Sequence, residues 1–152
     1  MKICLSCSVG GHLTQMRQLS KFYENHDYFF ITEDSLITQK ISKLEKMYLV
    51  RLLNRKKIEI ILTFFENAWN TLRILRKEKP DIIISTGALS SVPCCLLGKL
   101  RGSKIIFIES FAKINSPTIT GRIVYKIADL FIVQWEEMLR FYPKAKFGGS
   151  IY

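Results

Sequence analysis

The run Pro80-Asp81-Ile82-Ile83-Ile84-Ser85-Thr86-Gly87, continued by Ala88-Leu89-Ser90-Ser91-Val92-Pro93, decides the fold. Three consecutive isoleucines show no in–out alternation. Such a strand is covered on both faces, as strands are in a parallel sheet flanked by helices. Gly87 then lets the chain turn sharply, and Ser90 or Ser91 can cap a helix over residues 90–100 that stops at Gly102. Ile105-Ile106-Phe107-Ile108 repeats the apolar pattern one helix later. Strand, helix and second buried strand make a βαβ unit with a right-handed crossover.

The same alternation extends in both directions. Upstream, the patterns predict strands over 2–7, 28–32 and 47–50, helices over 12–24 and 36–45, and a long helix over 58–78. Leu13, Met16, Leu19, Phe22 and Tyr23 are expected inward on the first helix, and Ile37, Ile41 and Leu44 on the second. Downstream, strands over 104–108, 130–133 and 146–147 alternate with helices over 118–128 and 136–141. The expected fold is α/β: a Rossmann-like, doubly wound parallel sheet in one domain over residues 1–152. Its ligand crevice would lie beyond the carboxyl ends of the strands.

With 48% apolar residues the chain has the material for a core, which excludes disorder. A formal net charge of +10 points to an anionic partner: nucleic acid, anionic lipid or a phosphorylated substrate. No nucleic-acid-binding motif is present, and the aromatics lie in strands and apolar helix faces rather than among Lys and Arg, so a basic nucleic-acid-binding domain is the weaker alternative. The longest apolar stretch, 58–65, is interrupted by Glu59 and Thr63 and falls short of the ~20 residues of a spanning helix. The apolar start at Met1–Cys7 is too short for a signal peptide, so a cytoplasmic location is expected. Cys4 and Cys7 have the spacing of a zinc or redox pair, but an odd offset on one strand points them to opposite faces. Cys94 and Cys95 are adjacent and no histidine cluster joins them, so no metal site is expected.

Three strand ends carry candidate site residues. After the first comes Ser8-Val9-Gly10-Gly11-His12. Paired glycines allow close backbone approach to a ligand, and the helix that comes next presents N–H groups suited to phosphate. An ordinary tight βα turn would read the same way. Glu33 lies about twenty residues on, where a dinucleotide site would place its ribose-binding acid, but the glycine spacing does not fit G-x-G-x-x-G. A self-contained nucleotide-binding enzyme is therefore a rival reading, not the preferred one. The turn at Gly87, Ser90 and Ser91 could cradle an anionic or hydroxyl-rich group, and Glu109-Ser110 places a carboxylate where a base or a sugar-hydroxyl ligand would sit.

These segments together resemble a known family. They are Gly10-Gly11-His12, residues 80–87, Ile106-Phe107-Ile108-Glu109-Ser110, Thr120-Gly121-Arg122, residues 128–135 (Ala-Asp-Leu-Phe-Ile-Val-Gln-Trp), and the ending Tyr142-Pro143-Lys144-Ala145-Lys146-Phe147-Gly148-Gly149. The resemblance is to the acceptor-side subunit of two-part glycosyltransferases. This group includes the PssD and CpsF type proteins of exopolysaccharide and capsule synthesis and the anchoring subunit of the dolichol-pathway GlcNAc transferase. The order of turns is also similar to the N-terminal half of MurG, a one-chain GT-B enzyme. The resemblance implies an acceptor-binding domain that binds no cofactor of its own, a partner subunit carrying the UDP-sugar donor, and a polyprenyl-diphosphate-linked sugar as acceptor. It implies that His12 deprotonates or orients the acceptor hydroxyl, with Glu109 the second choice, and that Gly10, Gly11, Gly87, Ser90, Ser91 and Ser110 contact the acceptor.

The eukaryotic relatives carry an N-terminal membrane helix, whereas this sequence starts directly at its first strand, so membrane contact is expected to be peripheral, on the cytoplasmic face of the plasma membrane. Ile58, Ile61, Leu62, Phe65, Trp69, Leu72 and Leu75 recur at helical spacing, with Ile60, Phe64 and Ile74 widening the apolar face. Arg51, Arg55, Lys56 and Lys57 precede them. A basic cluster beside a Trp-bearing apolar helix suits an anionic leaflet, with Arg55, Lys56, Lys57, Phe64, Phe65 and Trp69 as contacts. Packing on the sheet together with contact to a partner subunit would use the same residues.

Overall fold

A computed structural model describes residues 1–53 and 57–151, so the expected contacts Arg55 and Lys56 lie outside the described residues, as does the side chain of Lys57. The strands are β1 (Lys2–Cys7), β2 (Asp27–Glu33), β3 (Met47–Val50), β4 (Ile82–Gly87), β5 (Lys104–Ile108), β6 (Leu130–Val133) and β7 (Lys146–Phe147). All pair in parallel, in the order β3-β2-β1-β4-β5-β6-β7. The order reverses between β1 and β4, so the crevice opens at their carboxyl ends. The helices are α1 (Gly11–Gln18), α2 (Ser20–Tyr23), α3 (Leu36–Ile41), α4 (Lys57–Glu78), α5 (Val92–Leu100) and α6 (Ile119–Val124). Short 3-10 turns cover Leu89–Ser91 and Glu136–Arg140.

Alternation along the strands divides the core in two. Cys4, Phe29, Ile31, Ile83, Ile105, Phe107, Phe131 and Val133 pack with Leu75 of α4, Cys94 of α5 and Val124 of α6. On the other face Ile3, Leu5, Cys7, Phe30 and Ile84 meet Leu13, Met16 and Tyr23 from α1 and α2. That second face is covered unevenly. Beyond α1 the strands leave an open apolar groove of about 190 Å³ between Leu19, Phe22, Ile84, Ile106, Ile108, Leu130 and Ile132. The cover expected on both faces of β4 and β5 is thus found in full on one face, while on the other Ile84, Ile106 and Ile108 border the groove. Cys4 and Cys7 do point to opposite cores, with Cys4 Sγ 3.7 Å from Cys94 Sγ. Burial pushes the Cys7 thiol up to about 12, which keeps it an un-ionised packing group.

Several helices differ from their sequence reading. The first breaks at Leu19, where the backbone leaves the helical ladder and Leu19 N–H bonds Met16 O at 3.1 Å. This shift turns Tyr23 inward and leaves Phe22 74% exposed. In α3, Ser35 and Thr38 form a reciprocal cap, and the Thr38 hydroxyl donates to Glu33 O at 2.8 Å. Thr38 is thereby buried, and Ile37 and Leu44 lie exposed rather than inward.

On α4 most of the apolar stripe faces outward, as membrane contact by Phe65 and Trp69 requires. The face the helix turns to the protein carries Thr63, Asn67, Thr71 and Glu78, joined from the apolar stripe by the buried Leu75. Asn67 makes this possible. Its amide donates to Arg51 O at 2.7 Å and accepts from Arg51 N–H at 3.0 Å, satisfying a buried carboxamide at both ends. Glu78, 5% exposed, binds Lys46 at 2.7 Å, Lys2 at 3.1 Å and the Tyr48 hydroxyl. Burial alone would raise its pKa, but these three donors outweigh burial and hold it at about 2. Ile61, Leu62, Phe65 and Trp69 face outward, each 59–68% exposed. Phe64 is half-buried against the core, so it does not share the outward face expected of it.

Candidate functional site

The crevice is built from the turns at the ends of β1, β4 and β5. Past a register shift after Ser6, Cys7 lies opposite Gly87, and Ser8 N–H donates to Gly87 O at 3.1 Å. The two glycine turns are thus joined edge to edge. Gly10 (φ 80°) and Gly87 (φ 99°) both have backbones that L side chains rarely adopt. Gly87 has a second reason to be glycine: a Cβ there would lie 3.1 Å from His12 Cε1. The imidazole lies over the Gly87 backbone, and the Thr86 hydroxyl donates to His12 O at 2.9 Å.

His12 is half-buried in the first turn of α1. Burial lowers its pKa from the ordinary value of 6.5; a hydrogen bond with the Thr86 backbone and the charges of Glu109 and Glu33 oppose the change. At neutral pH the ring is therefore unprotonated and can take a proton. It borders a cleft of about 390 Å³ lined by Gly11, His12, Gln15, Ser110, Phe111 and Ala112. Phe111 is held there by Trp135, whose indole N–H donates to Phe111 O at 2.7 Å and whose ring lies 5.0 Å from the Phe111 ring.

Glu109 sits at the end of β5 but not in the open cleft. It is 1% exposed. Its carboxylate accepts from Ser110 N–H (2.9 Å), the Thr118 hydroxyl (2.9 Å), Thr118 N–H (3.3 Å) and the Tyr142 hydroxyl (2.8 Å). Thr118 in turn caps α6 by accepting from Gly121 N–H at 2.7 Å. A Cβ on Gly121 would collide with Glu109 Oε2 and come within 2.5 Å of the Tyr142 hydroxyl, so only glycine fits. Burial, then the bond to Glu109, pushes the Tyr142 phenol far up and keeps it a donor. A carboxylate with these four donors has no face left for an incoming hydroxyl. The general-base expectation for Glu109 does not fit this geometry. The carboxylate instead ties β5 to α6 and to Tyr142.

The acceptor-contact expectations divide similarly. Gly10, Gly11, Gly87 and Ser110 do lie around the crevice. Ser91 does not present its hydroxyl to it: the chain runs from Gly87 N–H to Ser85 Oγ, from the Ser85 hydroxyl to Ser91 Oγ, and from the Ser91 hydroxyl to Ala88 O. That network shapes the turn. Ser90 Oγ, by contrast, is buried with no hydrogen-bond partner. No group of three or more His, Cys, Asp or Glu side chains suited to a metal occurs among the described residues.

The family model described as "Oligosaccharide biosynthesis protein Alg14 like" matches residues 3–151. The chain belongs to the Alg14-like family. It is 26% identical to the human UDP-N-acetylglucosamine transferase subunit ALG14, over 99% of this chain and 83% of that one. It is 28% identical to the Schizosaccharomyces pombe subunit, over 93% and 79%. Among solved structures, Acinetobacter baumannii MurG superposes with a TM-score of 0.72 at 12% identity, covering 90% of this chain and 43% of that one. The UDP-GlcNAc 2-epimerase of Methanocaldococcus jannaschii superposes with a TM-score of 0.73 at 14% identity, covering 99% and 46%. At such identities the likeness concerns the fold, and the Alg14-like chain spans less than half the length of each of these two structures. The sheet is thus the α/β Rossmann-like half found in GT-B glycosyltransferases.

Sequence reasoning missed part of this Alg14-like site. Helical spacing could have found Gln15, which lies three residues after His12 and four after Gly11 and so shares their helix face. No sequence signal marks the Thr118–Glu109–Tyr142 ties, since they join residues far apart in the chain.

Proposed function

We propose that this chain is the acceptor-binding, membrane-associated subunit of a two-subunit glycosyltransferase that moves a sugar from a UDP-sugar to a polyprenyl-diphosphate-linked sugar. The observation that carries the reading is the half-built cleft. The crevice at β1, β4 and β5 is walled by one Rossmann-like sheet, in a chain that covers 43% of MurG while covering 83% of a relative named as a transferase subunit. The donor-binding half belongs to a partner, and the reaction takes place between the two.

In this reading His12, unprotonated at neutral pH, accepts the proton of the acceptor hydroxyl as that oxygen attacks the donor sugar. Glu109, through Thr118 and Ser110, holds the Ser110–Ala112 wall in place opposite it. The nucleotide leaves on the partner's side. The relatives' names make UDP-GlcNAc the first donor to test. Synthesis of exopolysaccharide or capsule is the process in which we place the reaction.

The apolar groove over β5 and β6 supports a partner, because an uncovered Ile-rich sheet face is unfavourable in water. The outward face of α4 supports the membrane, with Phe65 and Trp69 beside basic sequence. No helix among the described residues is long and apolar enough to cross a membrane. We place this contact at the cytoplasmic leaflet of the plasma membrane, as a peripheral one. The test is co-expression with a candidate donor subunit, followed by assay with lipid-diphosphate-linked acceptors and UDP-GlcNAc, UDP-glucose or UDP-galactose. Transfer that needs both chains supports the reading; absence of transfer for every pair opposes it.

A further inference from the structure

Three buried side-chain polar atoms among the described residues have no hydrogen-bond partner, and each lies at the carboxyl end of the sheet: Gln15 Nε2 after β1, Thr32 Oγ1 near the end of β2, and Ser90 Oγ after β4. Thr32 has the Cys7 thiol beside it as a weak partner. Gln15 Nε2 has none. The residue is 2% exposed, so its amide N–H groups are removed from water without compensation. Folded proteins seldom leave such a group, and one that occurs beside a cleft calls for a functional explanation.

Gln15 also lines the cleft that holds His12. A half-turn of its carboxamide exchanges N and O with no change in volume, so the group can present either a donor or an acceptor to the cleft. Across from it stand Ser110 and the Phe111 ring, fixed by Trp135. The lining contains no Lys or Arg. Apart from the N–H groups that open α1, nothing in the lining offers a diphosphate a counter-charge. A neutral pyranose calls for what is present: an aromatic face for its C–H groups, and an amide, a hydroxyl and an imidazole for its oxygens.

We infer that Gln15 is a binding residue for the acceptor's sugar ring, hydrogen-bonding a hydroxyl or acetamido oxygen in the His12–Phe111 cleft, while the diphosphate lies outside it. This rests on the proposed acceptor-side function. It adds a division of the acceptor: the sugar lies against Gln15 and Phe111, and the phosphates lie outside that cleft.

The experiment compares citronellyl diphosphate with citronellyl diphospho-GlcNAc and diphospho-glucose as ligands of the purified full chain, by calorimetric titration. Wild type and Gln15→Met are used, because Met fills the same space without hydrogen bonds. Wild type is expected to bind the sugar-bearing probes about tenfold more tightly than the sugar-free one. Gln15→Met is expected to lose that increment while binding citronellyl diphosphate unchanged. Its Tm should rise by about 3 °C, since an unpartnered buried amide is removed. No sugar increment in the wild type, or an increment retained in Gln15→Met, overturns the assignment. A lowered Tm in Gln15→Met overturns it as well, because the amide would then be partnered within the fold. Failure of the acceptor-side function shows separately, as absence of transfer by the wild-type chain with every donor subunit tested.

Discussion

Replacing Glu109 separates a carboxylate that holds the site together from one that reacts. In Glu109→Ala, Ser110 N–H, Thr118 N–H, the Thr118 hydroxyl and the Tyr142 hydroxyl all lose their acceptor. Hydrogen bonds to a charged group contribute about 1.5–3 kcal/mol each, but they share one carboxylate and do not add. Tyr142 is 2% exposed, so its stranded hydroxyl alone costs about 1–3 kcal/mol. The cavity adds about 1 kcal/mol. The expected loss is therefore about 4 kcal/mol, a fall in Tm of about 12 °C for a chain of this size. Glu109→Gln keeps the volume and one carbonyl acceptor and should lose about half as much. Thermal melts by far-UV circular dichroism give these values, and transfer rates are then measured well below each variant's Tm. His12→Ala, at a half-buried position, should melt within about 1 kcal/mol of wild type while losing transfer. If Glu109→Gln melts like wild type yet loses transfer as fully as His12→Ala, the structural assignment of Glu109 is wrong.

Gly121→Ala places a methyl against Glu109 and Tyr142 and should cost about 3 kcal/mol, but distinctly less in a Glu109→Ala background, where the space is vacated; a double-mutant cycle with additive losses would contradict the packing described. Glu78 has a folded pKa of about 2, below its ordinary 4.5, so its contribution is complete above pH 4.5 and is lost as pH falls from there towards 2. Because Lys46 and Lys2 are partly exposed, that contribution is about 2 kcal/mol, and Glu78→Gln should flatten the acid limb of a stability–pH curve. His12 has the opposite sense for its type: its folded pKa lies below 6.5, so stability falls slightly as pH drops through 6.5, and kcat/KM of the complex should persist below pH 6.5 before declining. A decline centred above 6.5 would refute the burial effect. Phe65→Glu with Trp69→Glu should leave Tm within about 1 kcal/mol of wild type, since both side chains are exposed, and should abolish flotation with anionic vesicles at low salt.

The strands were legible because parallel strands write themselves as short, largely apolar runs: 2–7, 47–50, 104–108 and 130–133 fall where the sequence places them. The crevice was legible for the same reason, since Gly10, Gly87 and Glu109 come directly after or at the strand ends. The sequence leaves the orientation of α4 open between membrane contact and packing with a partner. A stripe of Ile, Leu, Phe and Trp at helical spacing ordinarily faces the core, and the inversion depends on Asn67 gripping the Arg51 backbone and on Glu78 gathering Lys2, Lys46 and Tyr48. Neither partnership leaves a periodic mark. Leu19 ends α1 without a Gly or Pro to announce it, which hid the outward turn of Phe22. Glu109 read as a free carboxylate because its partners Thr118 and Tyr142 lie 9 and 33 residues away. The roles of carboxylates depended on contacts the sequence does not order, while the strand ends depended only on local pattern.

In the proposed function the reaction is divided between two polypeptides. Titrating the purified chain with UDP-GlcNAc, alone and with its donor subunit, tests this division directly. The chain by itself should neither bind the nucleotide sugar measurably nor hydrolyse or transfer it, and the mixture should do both. Saturable binding of UDP-GlcNAc by the lone chain, with turnover onto a lipid-diphosphate acceptor, would contradict it.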